Sequence, residues 1–199
     1  MKVEMKPEFE VSEASCKECT GKSLTEWSKK LDTASPANRR EAVQYLYGEM
    51  KKDPWWPTTI WVEHEKRKSV VQKDGRAEGY NICVTKSVAA PVSKVYEAFT
   101  GNRLADWLGQ GASFQIDGRL TDGDGNGGEV QRARPEKDIR VSWNTSGSPD
   151  KSQVDVMFVE KDGKTGITLN HGRIQSRAEA DGLRRAWGDA LTKLKSLLE

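Results

Sequence analysis

No run of apolar residues in this chain approaches the roughly 18–20 that a membrane-crossing helix requires, so no membrane span is expected. Cysteine is scarce. The three present (Cys16, Cys19, Cys83) are an odd number and read as free thiols of a reducing cytoplasm rather than a disulfide framework. The opening MKVEMKPEFEVSEAS is charged throughout and lacks the apolar segment of a signal peptide, which again predicts a cytoplasmic location. Neither sign of charge is in excess. With 32 basic and 30 acidic residues the balance is +2, and no long basic run exists to attract nucleic acid. Histidine is limited to His64 and His171, and no Ser-His-Asp order, G-x-S-x-G, HExxH or P-loop accompanies them. Cys16 and Cys19 form a single CxxC, whereas a structural zinc site takes four ligands. The run DGDGNGG offers Asp122 and Asp124, but the twelfth position of a calcium loop opened by Asp122 is Ala133, so a turn is expected instead. Neither a metal nor another cofactor is predicted.

What the chain does have is order in its apolar residues. Hydrophobic residues are 35% of 199, charged ones 31%, and mean hydropathy is -0.76, but the apolar positions fall into periodic clusters. The stretch 79–108, GYNICVTKSVAAPVSKVYEAFTGNRLADWL, anchors the reading. Tyr80, Ile82 and Val84 alternate with polar neighbours as in a half-buried strand. Pro91 suits the first turn of a helix, where a missing N–H is harmless. Val92, Val95, Tyr96 and Phe99 then share one helical face, and a second short helix ends at Trp107 and Leu108.

Ahead of this stretch, residues 1–15 show no sustained period and read as a flexible leader. Ser23 and Glu26 match a capping box, with Leu24, Trp27 and Leu31 on the inner face of the helix that follows. A second helix over 37–52 places Val43, Leu46, Tyr47 and Met50 for burial and stops at Asp53-Pro54. A third, over 56–70, spaces Trp56, Ile60 and His64 by four. Three helices and four tryptophans (Trp27, Trp55, Trp56, Trp61) predict a satellite core over residues 16–74. The tandem Trp55-Trp56 reads as interdomain glue. TGKSLTEW and the later W-x-x-T-I-x-V-E-H-E resemble a small bacterial helical family of unknown function that precedes START-like domains. That resemblance spans 16–71 and implies a fold without chemistry.

Behind the anchor come short alternating strands at 112–116, 119–121, 129–133, 138–144, 153–160 and 166–172, separated by Gly-, Pro- and Asp-rich turns. A long helix over 175–198 carries Leu183, Trp187, Ala190, Leu191, Leu194 and Leu198 on one stripe. A six-stranded antiparallel sheet with one inner face must curl around that helix to bury it. The predicted class is α+β. The segments V-T-K-S-V-A-A-P-V-S-K-V-Y-E-A-F (84–99), A-D-W-L (105–108), I-R-V-S-W (139–143), G-I-T-L-N-H (166–171) and R-A-W-G-D-A-L-T-K-L (185–194) carry a resemblance. Over residues 79–199 the chain resembles the helix-grip fold of the START/Bet v superfamily (SRPBCC), in the branch of polyketide-cyclase-type proteins and heat-shock ATPase activators. In that fold a curved antiparallel sheet wraps around a long C-terminal helix.

The resemblance implies a cavity between sheet and helix. By alternation its strand lining is Phe114, Val141 and Trp143, Val156 and Phe158, then Leu169 and His171. Trp107, Leu183 and Trp187 add to it from helices. Two readings of these residues stand: an apolar pocket with few polar anchors, or a filled core. His171 is the one inward candidate for a general base, and also reads as a buried structural histidine. Three functions follow: non-catalytic binding of a small hydrophobic ligand, which leads; a protein-interaction role like that of the chaperone activators; and a cyclase- or hydrolase-like enzyme using His171. Monomer and dimer are both compatible with the sequence.

Overall fold

The computed structural model describes residues 1–51 and 55–199. The stop expected at Asp53-Pro54 lies outside the described residues. The chain divides into two compact units, one of Pro7–Tyr80 and one of Met1–Lys6 with Asn81–Glu199.

The first unit contains four described helices where three were expected: α1 (Glu13–Thr20), α2 (Leu24–Ala34), α3 (Arg39–Met50) and α4 (Trp55–Arg67). Helix α1 falls partly in the expected leader. It buries only Cys16, too little for an apolar period, but it has a start and a stop. The Ser12 hydroxyl accepts from the Ser15 N–H, and Gly21 takes the left-handed conformation that ends a helix. Helix α2 has the capping box, with Ser23 and Glu26 each accepting from the other's backbone N–H. Removing the cap by Ser23→Ala is expected to lower the stability of this unit by about 1 kcal/mol, read from its urea midpoint.

Cys16, Leu24, Trp27, Leu31, Ala42, Leu46, Met50, Trp56 and Ile60 form one core, with Phe9, Val11, Tyr45 and Trp61 packed against it. Trp56 belongs to this core and stacks on Phe9 at 4.6 Å. The α3 face also differs from expectation. Ala42, Leu46 and Met50 point inward at i, i+4 and i+8, which leaves Val43 half-buried and Tyr47 52% exposed. His64 is half-buried and its Nδ1 meets the Ser28 hydroxyl at 2.8 Å. The Cys16 thiol is wholly buried and pushed up to about 11 by that burial, which suppresses the reactive thiolate.

The second unit is built from β1 (Tyr80–Val88), α5 (Val92–Thr100), α6 (Leu104–Leu108), β2 (Ser113–Phe114), β3 (Arg119–Thr121), β4 (Gly127–Arg134), β5 (Asp138–Asn144), β6 (Lys151–Lys161), β7 (Lys164–Ile174) and α7 (Arg177–Leu198). The sheet has seven strands rather than six, ordered β1-β7-β6-β5-β4-β3-β2. Strands β2 to β7 pair antiparallel with their neighbours. Asp162 and Gly163, both with positive φ, make the two-residue turn that sets the β6–β7 register, in which Val156 faces Leu169 and Val154 faces His171. Helix α5 begins as Pro91 predicts, and the first exposed N–H, of Val92, donates to the Glu160 carboxylate at 2.7 Å.

Helix α7 lays Ala180, Leu183, Ala186, Trp187, Ala190, Leu191 and Leu194 against the inner face of the sheet. Residues Met1–Lys6, within the stretch expected to be a flexible leader, also belong to this unit. Their backbone is held by side chains. Arg185 donates to the carbonyls of Glu4 (3.2 Å) and Lys6 (2.9 Å), and the Asn126 amide donates to that of Met1 (2.8 Å). The Met1 ammonium lies 3.2 Å from the buried Asp122 carboxylate. A Cβ on Gly182 would sit 2.4 Å from the Glu4 carbonyl, so this glycine inside a helix makes room for the N-terminal segment. A glycine-to-alanine change within a helix ordinarily gains about 1 kcal/mol. Gly182→Ala is expected to do the opposite and lower the thermal midpoint of this unit.

Candidate functional site

The inner face of the sheet runs along β6 from Ser152 through Val154 and Val156 to Phe158, and side chains of different character gather at its two ends. At the Phe158 end, Phe99 stands edge-on to Phe158 at 5.1 Å, Tyr96 at 5.7 Å, and Trp107 tilts against Phe99 at 4.7 Å. The Trp107 indole N–H donates to the Ala98 carbonyl at 2.9 Å. At the Ser152 end, Trp143, His171 and Trp187 meet, with Trp143 5.2 Å from Trp187 and 5.9 Å from His171. Val141, Val156, Leu169 and Leu183 fill the space between. The structure therefore brings together nine of the ten residues predicted to line this interior, all of them buried; Phe114, on the short β2, is half-buried.

These residues are packed against one another. A side chain lining a void of ligand size keeps surface that a water molecule can touch. Leu169, His171 and Leu183 are 0% exposed, and Trp143 1%. At these positions the side chains close on one another.

His171 is held at both ring nitrogens. The Trp187 indole, which can only donate, reaches Nδ1 at 3.0 Å, so Nδ1 is the acceptor and Nε2 carries the proton. Nε2–H then donates to the Ser152 hydroxyl at 2.8 Å, and that hydroxyl donates to the Trp143 carbonyl. Burial pushes the imidazole down to about 3 from its ordinary 6.5, keeping it neutral. Both ring nitrogens are thus engaged within the protein, as in a buried structural histidine. Ser152, absent from the sequence reading, is the partner that completes the chain. Its signal was the pairing of Trp143 with Ser152 across β5 and β6.

Polar groups are also buried beside this end. Arg177 and Asp181, one turn apart in α7, pair at 2.8 Å, and Ser148 donates to Glu179 at 2.9 Å. Trp143 Nε1, Thr145 Oγ1 and Glu179 Oε1 are buried without a hydrogen-bond partner in the protein.

The opposite face of the sheet is different in kind. Arg132 and Arg134 both engage Asp138, and Arg140 engages Asp155 at 2.6 Å. The Arg134 and Arg132 hydrogen bonds hold the Asp138 carboxyl below its usual range. Next to this ladder on the same face, Met157 and Val159 are 45% and 65% exposed. The Asp122 carboxylate serves its own loop, accepting from the N–H groups of Asp124 and Asn126 and from the Asn126 amide. Among the described residues no three His, Cys, Asp or Glu side chains converge as metal ligands, and no helix is long and apolar enough to cross a membrane.

A curved antiparallel sheet closed on its inner face by a long C-terminal helix, with two short helices after the first strand, is the helix-grip architecture of the SRPBCC superfamily. More narrowly, residues 89–199 match the family model described as "Activator of Hsp90 ATPase homolog 1-like protein", and the chain belongs to that family. The helical unit lies outside the matched residues. No curated protein matches the sequence. Among solved structures, CalU16 from Micromonospora echinospora is similar at a TM-score of 0.54 and 23% identity, over 62% of this chain and 78% of that one. PFC0360w, an HSP90 activator from Plasmodium falciparum, aligns at 0.54 and 20%, over 60% of this chain and 96% of that one. The Aha1 dimer from Colwellia psychrerythraea aligns at 0.54 and 19%, over the same shares. At these identities the likeness is one of fold.

Proposed function

We propose that the unit of Asn81–Glu199 works without catalysis, as a docking module for a protein partner of the Hsp90 ATPase class, through the outer face of its sheet. The observation that carries this reading is the filled interior: Leu169, His171 and Leu183 leave no surface for a ligand to touch. A grip of this kind that holds nothing inside has its outside left to work with. There, exposed Met157 and Val159 offer apolar contact beside ordered Arg–Asp pairs that confer specificity. The test is ATP turnover by the Hsp90-type chaperone of the same organism, with and without the full chain. Turnover is expected to rise, and Met157→Asp with Val159→Asp to abolish the rise in a folded protein. Unchanged turnover, together with no complex in sedimentation, would rule the reading out.

A second reading, the hydrophobic ligand inside the grip, is favoured by one observation. Trp143 Nε1, Thr145 Oγ1 and Glu179 Oε1 are buried and unpartnered. Such groups are costly unless something hydrogen-bonds to them, and a largely apolar molecule with a polar end would do so once α7 moved aside.

A further inference from the structure

The strand register builds a second feature that neither docking nor a filled grip uses. Thr121 faces Gly127, Gly127 faces Asn144, and Asn144 faces Lys151, one row across β3, β4, β5 and β6. The row lies on the outer face, since Leu120, Trp143 and Ser152 alternate with it to the inside. At its second place there is no side chain, and none fits. A Cβ on Gly127 would lie 2.1 Å from the Leu120 carbonyl, and one on Gly128 1.7 Å from that of Ser142. The strands approach closely here, and a cleft of about 480 Å³ lies beside these glycines.

Its walls are polar. Arg119 and Glu129, opposite each other in register, stand on one side; Asn144 and Lys151 stand on the other, with Ser142 between. Elsewhere on this face every arginine of the ladder, Arg132, Arg134 and Arg140, has its carboxylate. Among the described residues no carboxylate lies within 4.0 Å of the Arg119 or Lys151 cation, although Glu129 stands opposite Arg119 in the register. Two cations and one carboxylate therefore surround a cleft of small-molecule size, with no aromatic ring among its lining residues.

We propose that this cleft binds a small hydroxylated anion, a phosphorylated or carboxylated polyol. The Arg119 guanidinium and the Lys151 ammonium take the anionic group from its two sides, the first as a planar fork and the second as a point charge. The Glu129 carboxylate and the Asn144 amide carbonyl accept from ligand hydroxyls, and the Ser142 hydroxyl and the Asn144 amide N–H donate to them. Glu129 also sets selectivity, because it repels an anion that brings no hydroxyl to it.

The test is a two-dimensional amide NMR titration of the full chain with glucose 6-phosphate, inorganic phosphate and glucose as separate probes. Saturable shifts at Gly127, Gly128, Asn144 and Lys151 are expected with glucose 6-phosphate, at lower concentration than with phosphate, and none with glucose. Arg119→Ala and Lys151→Ala, both at exposed positions, are each expected to weaken binding about tenfold with the spectrum otherwise unchanged. Absence of saturable shifts with glucose 6-phosphate overturns the proposal. So do shifts that are undiminished in both variants, or equal affinity for phosphate and the sugar phosphate. Chaperone ATPase stimulation is read separately, so failure here leaves the docking reading to its own test.

Discussion

Trp187→Ala is expected to remove about 4 kcal/mol from the stability of the C-terminal unit, a large part of the 5–15 kcal/mol typical of a folded domain. Two losses combine. The indole packs against Trp143 at 5.2 Å deep in the interior, and its N–H is the donor that satisfies His171 Nδ1. Truncation opens a cavity and leaves a buried acceptor unmet. Trp187→Phe separates the two, because it keeps most of the ring and removes the N–H; a loss of about 1–2 kcal/mol is expected from it. Urea unfolding followed by NMR signals of residues 81–199 measures both. If Trp187→Ala proved nearly neutral, the indole would be lining space rather than filling it.

The second large effect depends on pH. His171 is neutral in the fold, its pKa held at about 3 by burial against an ordinary 6.5. Below pH 6.5 the unfolded chain takes up a proton there that the folded chain refuses. The contribution of this histidine is therefore complete above pH 6.5 and declines as pH falls toward 3, at up to about 1.4 kcal/mol per pH unit. Carboxylates held low in the fold, such as Asp138, lose stability in acid too, so the comparison that isolates His171 is with His171→Gln. Glutamine can keep hydrogen bonds but does not titrate. The variant is expected to be less stable at pH 7.5 and to lose less than the parent between pH 6.5 and 4.5. Parallel stability curves would mean that the imidazole charges freely in the fold.

The two variants also mark how far the sequence could be read. In the central strands of the sheet and in α7, period alone identified the buried face. Trp143, Val156, Phe158 and Leu169 were inward by alternation, and Leu183, Trp187 and Leu191 by helical spacing; all are buried. What periodicity cannot supply is contact across elements. That Ser152 completes the His171 chain depends on a β5–β6 register that brings Trp143 opposite it. Likewise, whether the inward residues close on each other or on a cavity depends on how near α7 approaches the sheet, and alternation is the same in both cases. In the helical unit Val43 and Tyr47 had the same helical spacing as Ala42 and Leu46, and the choice of face fell to the smaller Ala42. In residues 1–6 the apolar Met1, Val3 and Met5 alternate with the exposed Lys2, Glu4 and Lys6, but three positions are too short a run to be read as an element, and side chains from elsewhere in the unit hold the backbone. Only Gly182, an otherwise costly glycine in a helix, hinted that something lies against α7 there.

The measurement that bears most directly on a filled grip and an outward-facing function is native mass spectrometry of the protein purified gently from its own host. The expected spectrum shows the bare chain mass, or that mass with a protein partner, and no apolar adduct. A stoichiometric apolar molecule that comes off only on denaturation would contradict the filled interior and move the working function back inside the grip.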